Sequence, residues 1–378
     1  MMAGGFLQSV SRICLVLVTL AAAAPAGAQL HRYVDPLIGS QGDANVTVGP
    51  SRPFGMVKPG PENANGANSG WRVDPALPVT GFTQLHVSGT GGGAKYGNIA
   101  LMPFEGSLER VGHPSAWRNQ QASLGYYAIT LAHAQVRAEL TTSAKVAFYR
   151  FAYAAGAFLN QATGGADEEA QFLVGSEIEL VTPTEVRGYS RVRGGWNRGR
   201  AYTVYFHAMF DQAVASFTSA RAGKLAPGVT LQVDQGDKTA LLLGFGKGGA
   251  LQVKVGISFV STARARQNLL DETPDWQFER VLAETRAAWE PLLARVAVGD
   301  GTPERDRRML YSGLYHTMLH VVLAGVPHAR PVSECGPVVL FSQFSAAGRQ
   351  HAAPGQRGQG LVGAGAVHTL GAPERQVT

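Results

Sequence analysis

A mainly β fold, a large antiparallel β-sandwich that gives way to helices, is expected from three features of this chain. Between residues 33 and 261, strand-length apolar or alternating runs are separated by Gly, Pro, Asn and Asp clusters, which is the pattern of an all-β domain. These runs lack the helical spacing of about 10 to 15 residues that βαβ units place between strands. Beyond residue 273 the apolar period changes to that of a helix. The 378 residues suffice for two or three domains of about 100 to 200 residues each. With 45% hydrophobic and 16% charged residues, the chain lies outside the range of disordered sequences.

The elements follow in order. Arg12 precedes an apolar run of twelve residues, 13–24, and then the small-x-small site Ala26-Gly27-Ala28. Such a run falls short of the roughly 20 residues a spanning helix needs, so no membrane insertion is expected. Residues 1–28 read as a secretory signal, and the protein as periplasmic or extracellular. Cys14 lies inside that signal and Cys335 near the far end. Residues 29–320 therefore hold no disulfide and rest on core burial. Within the sandwich, 29–262, strand-sized runs fall at 125–131, 136–141, 146–153, 202–210, 229–233, 241–245 and 251–259.

Residues 263–300 read as a helical linker. Pro274 suits a first helical position, and Phe278, Val281, Leu282, Trp289, Leu292 and Leu293 gather on one face. A second start at Thr302-Pro303-Glu304 carries Met309, Leu310, Leu314 and Met318, so 301–320 begins a helical domain. An incomplete domain would leave that stripe without partners. Residues 321–378 contain no Lys, Tyr, Trp, Ile, Met, Asn or Asp, yet carry nine Gly and three His, with no sustained period. A coding-frame change in G+C-rich DNA and a natural disordered tail both account for such text.

Charge excludes little by itself, because the net +6 falls to +3 over residues 29–320 once the leader and the tail are set aside. No Lys/Arg cluster is interleaved with aromatics. The densest basic stretch, 187–200, is broken by glycines and Trp196 and reads as a solvated loop, so no nucleic-acid partner is expected.

Chemistry concentrates in residues 81–103. Its middle fails the phosphate-loop pattern, since Ala94 stands where the second Gly belongs and Tyr96 where Ser or Thr would bind magnesium. Four glycines beside His86, Ser88, Thr90, Lys95 and Tyr96 nevertheless form a backbone-exposed loop rich in donors, suited to a sugar. The alternative is a glycine-rich sandwich corner in which His86 is a satisfied interior group. Trp71, after the Asn/Gly-rich loop 62–69, can offer a sugar ring a flat exposed face, with Arg72 adding hydrogen bonds. Equally, Trp71 can cover the end of the core; Trp117 and Trp196, which lack such flanking context, are expected to be packing residues. His316 and His320, four apart without an intervening Glu, read as a helix face and not as a metal pair. Among Asp35, Asp43, Glu62 and Asp74, spacing singles out no catalytic carboxylate.

Several blocks together resemble one family. They are Tyr33-Val34-Asp35-Pro36-Leu37-Ile38-Gly39-Ser40, Pro53-Phe54-Gly55-Met56-Val57, Gly81-Phe82 through His86-Val87-Ser88-Gly89-Thr90-Gly91, and Tyr96-Gly97. Later come Val255-Gly256-Ile257-Ser258-Phe259-Val260-Ser261, Asn268-Leu269 and Leu314-Tyr315-His316-Thr317-Met318-Leu319-His320. In this order they resemble the amino-terminal part of glycoside hydrolase family 92, the calcium-dependent exo-α-mannosidases. The resemblance implies a β-sandwich joined by helices to an (α/α)6 barrel, with the active site between them.

It also implies hydrolysis of terminal α-mannose in glycans with inversion, by two carboxylates roughly 6.5 to 9.5 Å apart. Calcium would grip the sugar hydroxyls. The family's acid, base and calcium ligands belong to the barrel, beyond the point where this text loses register, so no catalytic or metal residue is assigned and an inactive fragment is expected. What carries over is the sugar-binding wall: Trp71, Arg72, His86, Ser88, Thr90, Gly91, Lys95 and Tyr96. A stand-alone carbohydrate-binding sandwich without catalysis is the alternative.

Overall fold

A computed structural model describes residues 29–42, 45–63, 69–89, 98–152, 171–194, 201–246 and 250–319, with the backbone alone of 155–160. The leader, the 321–378 tail, Trp196 and His320 lie outside the described residues. The first element among the described residues is a short 3-10 helix, η1 (Leu30–Tyr33). The first strands are β1 (Gly60–Asn63), β2 (Val79–Thr83), β3 (Ile99–Phe104), β4 (Trp117–Ser123), β5 (Tyr126–Leu131), β6 (Val136–Thr142), β7 (Val146–Ala152) and β8 (Ala155–Asn160). The next are β9 (Gln171–Thr182), β10 (Glu185–Gly194), β11 (Tyr202–Phe210), β12 (Val214–Arg221), β13 (Lys224–Pro227), β14 (Leu231–Asp234), β15 (Thr239–Phe245) and β16 (Ala250–Ser258). Helices α1 (Thr262–Glu272), α2 (Phe278–Leu293) and α3 (Glu304–Met318) follow.

The strands form a seven-stranded sheet, β1-β2-β3-β8-β15-β12-β13, and a nine-stranded sheet, β14-β9-β10-β11-β16-β7-β6-β5-β4. Phe82, Ile99 and Leu101 from the first share one apolar core with Tyr149, Phe151, Phe206 and Val253 from the second. The expected antiparallel sandwich is thus present.

β7 is buried on both faces, because Phe148 turns outward and meets Phe278 of α2 at 5.4 Å between ring centroids. α1 lies on β16 and β11. It approaches so closely that a Cβ on Gly256 would sit 2.5 Å from the Ala265 carbonyl oxygen, so only glycine fits there.

Three local expectations are corrected. Pro274 does not start α2; it follows the end of α1, where Thr273 caps Leu269 O through both its N–H and its hydroxyl, and proline commonly stands just past a helix end. The basic stretch from Arg187 to Gly194 is strand β10, not loop, because its alternate residues Val186, Gly188, Ser190 and Val192 are buried. On α3 the buried stripe is Tyr311, Ser312 and Tyr315. Tyr311, Tyr315 and Leu319 pack with Trp289 and η1. Met309 remains 57% exposed.

Candidate functional site

β1 and β2 pair antiparallel, setting Gly60 opposite Thr83 and Glu62 opposite Gly81. That register brings the carboxyl of Glu62 within 2.8 Å of Thr83 Oγ1, which donates to it when it is ionised. Three residues beyond Thr83, His86 turns into the same space. Its Nδ1 lies 2.8 Å from Lys58 O, and a carbonyl only accepts, so Nδ1 carries the proton. Nε2 then faces Thr83 Oγ1 at 3.1 Å and Glu62 Oε1 at 3.6 Å.

Two glycines hold the imidazole. A Cβ on Gly60 would lie 3.3 Å from His86 Cε1, and one on Gly70 would lie 2.6 Å from both Cδ2 and Nε2. Glu62 and His86 are each only 6% exposed. Burial pushes the Glu62 carboxyl up to about 7 and the His86 imidazole down to about 4. It also lowers the neighbouring Lys58 ammonium to about 8. A cluster buried to this degree disfavours the charged form of each group. In this structure His86 is a buried group with hydrogen-bonding neighbours on both ring nitrogens, the geometry of the interior-group alternative.

The segment after the glycine-rich loop is pinned by Asn63. Asn63 N donates to Gly70 O, its Nδ2 to Arg72 O, and its Oδ1 accepts from Arg72 N. Ser69 Oγ donates to Trp71 O. These bonds turn the Trp71 ring inward, where it is 1% exposed and lies 5.2 Å from Trp117. The expectation of an exposed indole platform is therefore corrected: hydrogen bonds from β1 fix the backbone so that the ring closes the core. Arg72 is half-buried, and Ser88 is buried with its Oγ accepting from Thr47 N at 3.2 Å.

Thr90, Gly91, Lys95 and Tyr96 lie outside the described residues. The structure thus joins Gly70, the neighbour of Trp71, to His86, and adds Glu62, Thr83, Asn63 and Lys58, which motif reading did not select. Thr83-x-x-His86 beside a carboxylate in Gly60-Pro61-Glu62-Asn63 was the available signal. Among the described residues, no group of three or more His, Cys, Asp or Glu is arranged to hold a metal ion. None of their helices is long and apolar enough to cross a membrane.

Comparison with known proteins agrees with this architecture. The sequence model of the glycosyl hydrolase family 92 N-terminal domain matches residues 33–258, and that of the family 92 catalytic domain matches residues 264–326. A curated relative from Arthroderma benhamiae, described as an uncharacterized secreted glycosidase, is 24% identical, over 84% of this chain and 45% of the relative. A family 92 α-mannosidase structure from Bacteroides thetaiotaomicron is 25% identical with a TM-score of 0.68, over 78% of this chain and 42% of that one. A family 92 inverting mannosidase from the same organism shares the fold at 21% identity and a TM-score of 0.63, over 78% of this chain and 40% of its own. This chain spans less than half the length of these relatives. With the N-terminal domain matched over more than half of the 378 residues, the chain belongs to glycosyl hydrolase family 92.

Proposed function

We propose that this chain supplies the sandwich side of an exported exo-α-mannosidase that hydrolyses terminal α-mannose with inversion. The observation that carries this reading is the ordered match to both domains of the family, in a fold shared at a TM-score of 0.68 with an α-mannosidase. That relative is also known in complex with mannoimidazole, which supports a mannose-containing glycan as the partner. Export is supported by the expected signal at 1–28 and by the description of one relative as secreted.

Inversion needs a carboxylic acid to protonate the leaving oxygen and a carboxylate to activate water on the opposite face. Glu62, the carboxyl that packs against Gly70, is buried and engaged with Thr83, so it serves neither role. In this reading both carboxylates come from outside the described residues, and the segment around Trp71 and His86 gives the pocket its shape. Trp71 Nε1–H, buried without an acceptor among the described residues, is the group there that still needs a polar partner. Calcium enters only through the family resemblance. Among the described residues, no cluster of three or more carboxylate, imidazole or thiol groups is arranged to hold the ion.

The test uses two polypeptides and 4-nitrophenyl α-D-mannopyranoside with calcium present. The 378-residue chain alone is expected to release no mannose. A chimera in which residues 33–319 replace the matching part of the Bacteroides thetaiotaomicron α-mannosidase is expected to release it, with the β-anomer appearing first by NMR. Hydrolysis by the chain alone would overturn the placement of the carboxylates, and a soluble chimera inactive on α-mannosides would overturn the mannosidase reading.

A further inference from the structure

An open cleft lies on the outer side of the nine-stranded sheet, where the connection between α1 and α2 crosses β7 and β16. Its volume is about 450 Å³, and Arg150, Gln252, Trp276, Gln277, Glu279 and Arg280 contribute to its wall. Small-ligand sites commonly enclose about 300 to 1,000 Å³.

One wall is fixed from behind. Lys254, buried beneath it, donates Nζ to Thr273 O at 2.6 Å and to Asp275 O at 3.3 Å, and lies 4.1 Å from the centre of the Trp276 ring. Phe148 meets the same indole edge-on at 6.0 Å. Trp276 is therefore held in one orientation, and the part of it that stays exposed lines the cleft.

The free hydrogen-bonding groups are mixed in kind. Among the described residues the Gln277 side chain makes no bond. Gln252 spends Nε2 on Asp211 and keeps Oε1. Glu279 accepts from Arg150 on Oε1 and keeps Oε2. Arg150 uses Nε and Nη2 on Glu139 and Glu279 and keeps Nη1. Donors and acceptors are thus offered side by side. Positive charge is not in surplus: Arg150, Arg280 and Lys254 stand among Glu139, Glu279, Asp275 and Glu284. An anion, which only accepts, gains no surplus positive charge here. A ring of hydroxyls, which both donate and accept, meets both kinds of group while its C–H face packs on an indole.

We propose that this cleft binds a neutral hexopyranose unit of a glycan, with Trp276 as the packing surface and Gln252, Gln277 and Arg150 as hydroxyl partners. The site goes beyond the mannosidase reading and does not depend on it.

The test is a titration of the full 378-residue chain with methyl α-D-mannopyranoside, methyl β-D-glucopyranoside and, separately, inorganic phosphate, followed by the tryptophan indole N–H signals in NMR. At least one pyranoside is expected to shift one indole signal saturably, with a millimolar Kd. That shift should vanish in Trp276→Ala. In Gln252→Ala/Gln277→Ala, which removes only part-exposed or exposed amides and leaves Trp276 and its supports Lys254 and Phe148 in place, affinity should drop at least about tenfold. Saturation by phosphate, pyranoside binding undiminished in the double variant, or no saturable shift with either pyranoside would overturn the proposal. Because no hydrolysis is read, failure of the mannosidase reading leaves this result unchanged.

Discussion

His86 Nε2 and Glu62 Oε1 stand 3.6 Å apart inside the sandwich, and the Thr83 hydroxyl touches both, at 3.1 and 2.8 Å. The imidazole proton is already committed to Lys58 O. With Glu62 ionised, the single Thr83 proton cannot serve both the carboxylate and Nε2, and one buried lone pair goes without a donor. With Glu62 protonated, its O–H donates to Thr83 and Thr83 donates to His86, so both the hydroxyl and the Nε2 lone pair are matched. Hydrogen bonding therefore agrees with burial in favouring a neutral Glu62 beside a neutral His86.

This pairing sets a pH dependence. Unfolded, Glu62 titrates near 4.5 and His86 near 6.5, whereas folded they titrate near 7 and 4. Between about pH 4.5 and 6.5 each state holds one proton, on His86 when unfolded and on Glu62 when folded, so the pair adds no slope there. Above 6.5 the unfolded pair is empty while the folded pair keeps its proton until about 7, and stability falls across that interval. Glu62→Gln isolates the carboxyl. The wild type should lose stability relative to this variant as pH rises from about 4.5 to 7, by on the order of 3 kcal/mol, and the gap should then hold constant. Urea unfolding at about pH 4, 5.5, 7 and 8.5 measures the gap; a gap that ignores pH would mean that Glu62 titrates alike in the folded and unfolded states.

Gly70 should tolerate no side chain. It combines φ of +71° with a Cβ position 2.6 Å from the His86 ring, whereas Gly106, at φ of +117°, faces open space. Gly70→Ala is expected to cost about 2 to 4 kcal/mol and Gly106→Ala about 1 kcal/mol. Equal shifts in denaturation midpoint would show that the His86 contact contributes nothing.

How far the sequence can be read is visible in particular elements. Residues 202–210 coincide with β11, and the helical stripe Phe278, Val281, Leu282, Trp289 and Leu293 is buried in α2. Period alone carries that information. α1 carries no clear helical period of its own, because its buried face is only Ala265, Asn268 and Leu269 and its docking depends on the missing side chain of Gly256. The Glu62, Thr83 and His86 cluster was hidden for another reason: strand register, and not spacing, brings its members together. For Trp71, a flat ring on a loop reads the same whether it faces out or in, and the bonds from Asn63 decide between them.

The inward Trp71 gives a direct check on that correction. A ring exposed as a sugar platform could be removed at little cost to folding, but one buried against Trp117 could not. Trp71→Ala is expected to destabilise by about 3 to 5 kcal/mol, the usual cost of emptying an aromatic site. A denaturation midpoint within error of the wild type would return the indole to the surface.

Tyr315 is fully buried, its ring 4.9 Å from that of Trp289, and its hydroxyl has no hydrogen-bond partner among the described residues. The ring and the hydroxyl therefore act in opposite directions. Removing only the oxygen relieves an unpaired buried donor, so Tyr315→Phe should be neutral or stabilising by up to about 1 kcal/mol. Removing the ring opens a cavity between α2, α3 and η1, and Tyr315→Ala should cost about 3 to 5 kcal/mol. Thermal unfolding of the two variants against the wild type reads both signs. A Tyr315→Phe variant less stable than wild type by more than about 1 kcal/mol would mean that the hydroxyl has a partner after all, and that this end of the helix is bonded as well as packed.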